Sequence, residues 1–209
     1  MVELFAADIR QIAPRAQALL PLLDEERRAR VRAFGDSRSA LLTLAAGLLL
    51  YEAFGERVRR APFERGARGK PRLPGGTPFN LTHAGDYAVL ALSTQPVGID
   101  LEWIRPLDWR RIAQRFYHPL ERTFLARSLE PEADFFRIWT LKESFLKAEG
   151  TGFSVSPSGF SVVPAGARSA CFLGGSDYCF TRPDAFPGYC LSVCSLEREV
   201  AAQVSVKQF

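Results

Sequence analysis

The sequence predicts a mixed α/β (α+β) fold assembled from two related halves, residues 1–102 and 103–209, facing one another across a cleft. Two observations lead there. A helix-rich stretch followed by strand-like segments occurs twice along the chain, and fragments of the first half reappear at corresponding places in the second. "ERRARVRAF" is echoed by "WRRIAQRFY", and "DYAVLALS" by "GYCLSVCS". Halves that share a plan meet near residues 102–108, and the gap between such halves is a natural ligand site. With 47% hydrophobic residues, the 209-residue chain is able to bury a sizeable core.

The elements follow in order. "DEERRARVR" and "SRSALLTLAAGLLLYEAFG" read as two helical segments broken near Gly35, the second apolar all round, hence buried, and stopped by Gly55. "GARGKPRLPGGTP" is a Gly/Pro loop. A strand over Tyr87–Ser93, a turn at Gln95–Pro96 and a short strand over Val97–Glu102 come next. In the second half, "WRRIAQRFYHPLERTFLARS" is helical up to an interruption at Pro119, and a long helix opens at Pro131 and closes at Gly150. Strand-like pieces, "GYCLSVCSLE" among them, complete the second sheet.

Composition narrows the function class. The N-terminus carries Glu3 and Asp8 where a signal peptide needs a positive start and an apolar run, and the apolar stretch Ala40–Ala53 is broken by Thr43, Gly47 and Glu52. The expectation is a soluble, non-exported protein with no membrane partner. Cys171, Cys179, Cys190 and Cys194 lack paired CxxC spacing and read as small buried hydrophobes in a reducing compartment, which places the chain in the cytoplasm. The net charge of +4 suits phosphates or acidic proteins without demanding nucleic acid. Arginine supplies 23 of the 27 cations, so Lys70, Lys142, Lys147 and Lys207 stand where a compact charge is wanted.

Several constellations carry chemistry. Asp100 and Glu102, in "QPVGIDLEW", alternate on a strand, so both carboxylates leave one face. Solvent or a bound cation must relieve their repulsion, and Mg²⁺ takes oxygen ligands of this kind. Trp139, Glu143 and Lys147 are spaced by four and form one helical stripe, with Phe136 at its start. Alone, this is an exposed Glu–Lys pair beside a packed aromatic. Facing Asp100, Glu143 becomes a third oxygen ligand, with Lys147 one turn farther on for a phosphate. His83 follows Asn80 and Thr82 in a loop before a strand, either as a structural histidine or as a donor to a pyrophosphate. Lys70 sits in an extended proline loop, and His118, beside Pro119, reads as surface. Arg27, Arg28, Arg30 and Arg32 form a basic run that is a solvated helix face or a phosphate trap.

In combination the ordered set G-K-P (Gly69 to Pro71), F-N-x-T-H (Phe79 to His83), V-G-I-D-x-E (Val97 to Glu102) and W-x-x-K-E-S-x-x-K-x-x-G (Trp139 to Gly150) resembles the phosphopantetheinyl transferases of the surfactin-synthetase-activating (Sfp-like) type, over roughly Asp24 to Val163. The resemblance implies transfer of the 4′-phosphopantetheine arm of coenzyme A to a serine of an apo acyl or peptidyl carrier protein, with release of adenosine 3′,5′-bisphosphate. It implies a pseudo-two-fold pair of α/β halves with the site between them. By matching position, it implies Asp100, Glu102 and Glu143 as Mg²⁺ ligands, and Lys70, Thr82 and His83 as coenzyme A contacts. Lys147 is implied near the bridging oxygen of the pyrophosphate, and Arg27 and Arg30 at the 3′-phosphate. Thr82 stands where many relatives have serine and keeps the hydroxyl. The length, about twice that of the trimeric short type in the superfamily, implies a monomer. Fatty acid, polyketide and nonribosomal peptide synthesis are the pathways such carriers serve.

The chemistry makes sense of the residue types. A serine hydroxyl attacking a phosphorus that already carries negative charge faces an electrostatic barrier, which a cation held by carboxylates and a nearby lysine both lower. Two acceptors for the serine proton stay open, Glu143 and a metal-bound water. The rival reading is a non-catalytic basic protein that binds nucleic acid or acidic partners through its arginines.

Overall fold

Alternating burial along "ELFAAD" makes the first strand, β1 (Glu3–Asp8), whose last residue caps the short helix α1 (Ile9–Ile12) by accepting from the Arg10 N–H. This computed structural model of the chain describes residues 1–35, 37–60, 63–66, 69–150, 154–184, 186–201 and 203–209. After α2 (Ala16–Leu19) come α3 (Glu25–Phe34), capped by Asp24, and α4 (Arg38–Phe54), capped by Ser37. Gly35 and Gly55 end them with φ of 61° and 60°, a conformation that costs glycine nothing. The predicted break and stop are therefore where the structure has them. Then follow α5 (Arg57–Arg60), β2 (Glu64–Arg65), β3 (Pro71–Arg72), β4 (Phe79–Ala84), β5 (Tyr87–Leu92) and β6 (Val97–Trp103). The rest of the chain gives α6 (Trp109–Phe116), α7 (Pro119–Arg127), α8 (Pro131–Glu149), β7 (Ser161–Ala165), β8 (Ser169–Leu173), β9 (Cys179–Thr181), β10 (Tyr189–Ser195) and β11 (Ser205–Val206).

Two sheets stack face to face between two long helices. The first has the order β11-β1-β5-β4, the second β6-β10-β9. On the first sheet Phe5, Ala7, Ala88 and Leu90 meet α4, while Leu4, Ala6, Val89 and Ala91 meet the second sheet. Val97, Ile99 and Leu101 of β6 and Leu191 and Val193 of β10 complete that inter-sheet core. Strand alternation then turns Gly98, Asp100 and Glu102 the other way, onto α8. The layers run helix, sheet, sheet, helix. No described helix is long and apolar enough to cross a membrane.

Some expectations need correction. "FNLTHAG" is not a loop before a strand but β4 itself, paired with β5 from Phe79↔Leu92 to Ala84↔Tyr87 around a two-residue Gly85–Asp86 turn. The signal was there: Gly85 takes φ 54°, and Gly-Asp between alternating residues marks a tight hairpin. The start of the Gly/Pro loop is the connection of a small hairpin, β3 in the loop pairing with β2 just before it, with residues 67–68 outside the described set. β6 pairs along its whole length with β10, so the change of sheet falls between Leu92 and Val97. His118 is not idle surface: its Nδ1 accepts from the Leu120 N–H while Glu121 accepts from the His118 N–H, a capping box that starts α7. Of the cysteines, Cys190 and Cys194 are buried as expected, whereas Cys171 is exposed.

Candidate active site

β6 and α8 pack backbone against backbone, and Gly98 permits it. A Cβ at Gly98 would lie 2.0 Å from Ser144 O and 2.3 Å from Ala148 N, inside the backbone of the helix. That contact brings Lys147 over the strand, where its Nζ donates to Asp100 Oδ1 at 2.6 Å and to Ile99 O at 3.2 Å. The glycine two residues before the aspartate thus has a steric cause.

Around Lys147 stand three carboxylates. Asp100 is 5% exposed; its Oδ1 also receives the Thr82 hydroxyl at 3.4 Å, while its Oδ2 is buried with no hydrogen-bond partner. Burial pushes the Asp100 carboxyl above its ordinary value, against the pull of Lys147. Glu102 is raised by burial and by the charge of Asp100, with Arg105 3.5 Å away on its outer side. Glu143, one turn before Lys147, is raised from 4.5 to about 7 by burial, then by Asp100 and Glu102, with Lys147 opposing. The three groups therefore share one electrostatic environment. Among the described residues, no three His, Cys, Asp or Glu side chains stand in an arrangement that could hold a metal ion as they are placed, and Lys147 and Arg105 pair with two of the carboxylates. An orphaned buried oxygen and three acids that repel one another form a donor set suited to a hard divalent cation.

The remaining expected residues divide. His83 is exposed at the end of β4, and the surrounding protein, then the charges of Lys147 and Arg30, lower its imidazole pKa. It belongs to the same neighbourhood. Arg30 is exposed and, among the described residues, no carboxylate pairs with it. Arg27 is drawn inward: its Nε lies 3.3 Å from Asp24, its guanidinium sits over the Phe63 ring, and burial lowers its pKa. Arg38 is turned away to Asp86 at 3.0 Å. Lys70 does not present its ammonium to the carboxylates; it donates to Val97 O at 2.9 Å, Lys147 O at 2.7 Å and Ala148 O at 3.2 Å. Burial brings it down to about 8. Thr82 Oγ1 accepts the Leu101 N–H at 3.1 Å.

Two residues named in the sequence were given no role there. Asn80 Oδ1 accepts the Ile99 N–H at 2.9 Å. Lys142, 2% exposed beside Glu143, points to the opposite side of α8, where its Nζ donates to Glu121 Oε1 at 2.6 Å and Phe160 O at 2.9 Å. An adjacent lysine and glutamate on a helix must face about 100° apart, so "KE" announced one inward and one cleft-facing side chain.

Known proteins carry the same arrangement of sequence. A 4′-phosphopantetheinyl transferase of Bacillus subtilis is 31% identical over 204 residues, 91% of this chain and 90% of its own. The 4′-phosphopantetheinyl transferase Sfp of Bacillus subtilis strain 168 is 28% identical, covering 92% and 91%. Among solved structures, the Thermotoga maritima holo-[acyl-carrier-protein] synthase matches with a TM-score of 0.41 at 19% identity over 50% of this chain and 64% of that one. The family model for the 4′-phosphopantetheinyl transferase superfamily matches residues 96–194, the stretch from the start of β6 almost to the end of β10 that holds Asp100, Glu102, Glu143 and Lys147. Since that relative shares nearly its whole length with this chain, and the matched stretch contains the acids and lysine gathered between β6 and α8, the chain belongs to the 4′-phosphopantetheinyl transferase superfamily.

Proposed function

We propose that the protein transfers the 4′-phosphopantetheine group of coenzyme A to a serine of an apo acyl or peptidyl carrier protein, giving holo carrier and adenosine 3′,5′-bisphosphate. The observation that carries the reading is the gathering of Asp100, Glu102, Glu143 and Lys147 between β6 and α8 in a chain of this family. The chain acts as a cytoplasmic monomer, with the substrate cleft between a first half ending near Ser93 and a second half beginning at Val97.

In this reading Asp100, Glu102 and Glu143 hold Mg²⁺, which when bound neutralises pyrophosphate charge and aligns the diphosphate for attack. His83, which feels the charges of Lys147 and Arg30, and the exposed Arg30 receive the phosphates of coenzyme A, and Arg27 backs them from its partly buried place. The carrier serine Oγ attacks the β-phosphorus. A bond forms between that oxygen and phosphorus, and the bond from phosphorus to the bridging oxygen breaks, leaving the nucleotide bisphosphate. Lys147, with two of its N–H groups on Ile99 O and Asp100, directs its charge at the departing oxygen. The Glu143 carboxylate, which a bound Mg²⁺ would keep ionised, accepts the serine proton.

The test is to incubate the protein with coenzyme A, Mg²⁺ and apo carrier domains, acyl and peptidyl, and to weigh the carriers by mass spectrometry. The expected result is a gain equal to one phosphopantetheine arm on the carrier serine, lost when that serine is alanine. No gain on any carrier, with tight binding of nucleic acid instead, would replace this reading with that of a basic binding protein.

A further inference from the structure

β6 is an edge strand with an unusual neighbour. On one side it pairs with β10; on the other, no described strand forms a ladder with it. An unpaired edge leaves a row of backbone donors and acceptors, and buried ones must find partners. Here they find side chains. Val97 O accepts from Lys70 Nζ, the Ile99 N–H donates to Asn80 Oδ1, Ile99 O accepts from Lys147 Nζ, and the Leu101 N–H donates to Thr82 Oγ1.

The match is one of period. Asn80 and Thr82 are two apart on β4, so both face the second sheet, and their targets are two apart on β6. Both are buried, at 7% and 6% exposure. β4 is the edge strand of the first sheet, which stacks on the second and does not extend it. Two side-chain oxygens bridge the gap that backbone groups do not cross. Asp100 lies between the two pinned amides, so the point from which its carboxylate projects is fixed by groups that never touch it, Thr82 apart.

Lys70 closes the row at the start of the strand. By donating to Val97 O and also to Lys147 O and Ala148 O, it ties β6 to the C-terminal carbonyls of α8, where a cation is favoured by the helix dipole. The lysine and the acid that face each other, Lys147 and Asp100, are thus held in register from both elements.

We infer that Asn80, together with Lys70, is a positioning residue for the transfer reaction: it stands in for a missing strand along β6 and sets the place of Asp100 and Glu102. This rests on the reading of those carboxylates as part of the transfer site. Asn80 is assigned no contact with substrate.

The experiment pairs amide hydrogen exchange with kinetics. In the wild type the Ile99 and Leu101 amides exchange slowly although no described strand pairs with that edge. Asn80→Leu keeps the volume and removes the acceptor; the Ile99 amide then exchanges at least ~10-fold faster. With the carboxylates displaced by a fraction of an ångström, kcat falls ~10- to 100-fold per folded molecule, while KM for coenzyme A stays within ~3-fold. Asn80→Asp places an acceptor oxygen at the same reach and restores slow exchange. Should Asn80→Leu fold poorly, Asn80→Ser, whose oxygen is too short to reach, serves in its place. Fast exchange of Ile99 in the wild type overturns the inference, as does a variant whose kcat is unchanged. A rise in KM for coenzyme A with Ile99 still protected would make Asn80 a substrate contact and overturn it too. If the wild type transfers nothing to any carrier, the reading of the reaction fails; the exchange rates still decide whether the clamp exists.

Discussion

At the scale of single residues, the chain reserves lysine for places a guanidinium would not fit. Lys70 fills a three-carbonyl pocket, Lys142 a fully buried acid pair, Lys147 the gap above Asp100, and Lys207 a position over the Phe5 ring beside Glu52. The Lys142–Glu121 pair also receives the Val162 and His118 amides, so every oxygen of Glu121 is bonded. Breaking such a pair strands a buried charge. Glu121→Ala or Lys142→Met alone should cost ~3–5 kcal/mol, while Glu121→Leu with Lys142→Met should cost far less than the two singles summed, as urea unfolding will measure. Glu143 behaves in the opposite sense to a salt-bridged acid. Its folded pKa of about 7 lies above the 4.5 of an ordinary glutamate, so between these values the unfolded chain has lost a proton that the folded chain keeps. Stability therefore falls as pH rises through that window and stays reduced above it. Without divalent cation, Glu143→Gln should abolish this slope and melt higher than the wild type at pH 8, though not at pH 4, while transfer falls by ~10³-fold or more. A parallel pH profile of melting temperature in the two proteins would remove the strain assigned to Glu143. Asp100, Glu102, Glu143 and Lys147 were legible because spacing alone puts each pair on one face. Asn80 was not, because an asparagine bonded to a distant backbone amide leaves no periodic trace.

At the scale of elements, the pairing of β6 with α8 decides whether the site exists. The helix was legible from Pro131 to Gly150 because both ends carry residues whose backbone requirements stop or start a helix, and Gly150 takes φ 69°. β6 was legible to within a residue. β4 was not, since Asn, Thr and His read as loop chemistry and the burial of Asn80 and Thr82 comes from the second sheet, a tertiary effect no local pattern contains. What no propensity scale supplies is the closeness of β6 and α8, which a single missing Cβ sets. Gly98→Ala places a methyl group 2.0 Å from Ser144 O, and the backbone of a packed helix cannot yield as a flexible side chain would. Separation of strand and helix is the only relief. The substitution should cost ~3 kcal/mol or more in urea unfolding, and should weaken transfer beyond what the lost stability accounts for, because the Lys147–Asp100 contact of 2.6 Å opens. A stable, fully active Gly98→Ala protein would mean that strand and helix part at little cost and that the contact does not set the site.

At the scale of the whole molecule, the order of strands repeats. In the first sheet β1 lies beside β5 and β5 beside β4, with α4 between β1 and the hairpin in sequence; in the second, β6 lies beside β10 and β10 beside β9, with α8 in the same place. The echo between "DYAVLALS" and "GYCLSVCS" therefore falls on β5 and β10, the central strands of the two sheets. The echo between "ERRARVRAF" and "WRRIAQRFY" falls on α3 and α6, which precede the long helices. The C-terminal tail departs from the repeat and had no local signal. It leaves the second sheet and returns to the first: Val2 N bonds Glu199 O, Ala201 N bonds Val2 O, Lys207 N bonds Ala6 O, and β11 runs parallel to β1 at Phe5↔Ser205 and Ala6↔Val206. Val200, Ala201 and Val204 pack on the inter-sheet core and Phe209 on the core beneath α4. The tail thus straps the two sheets together and covers the free edge of β1. Truncation after Ser195 should remove ~3 kcal/mol or more from these bonds and contacts, lowering the melting temperature by ~6–12 °C in a chain of this size. It should also bare β1 as an aggregation-prone edge. Because, among the described residues, the tail's backbone hydrogen bonds go to Val2 and β1 and none goes to β6 or α8, transfer by the truncated protein at low temperature should stay within ~3-fold of the full chain, provided the inter-sheet core still forms. Light scattering on warming, beside a transfer assay in the cold, separates the two effects; a large loss of turnover in a folded, soluble truncated protein would show that the strap reaches the site after all.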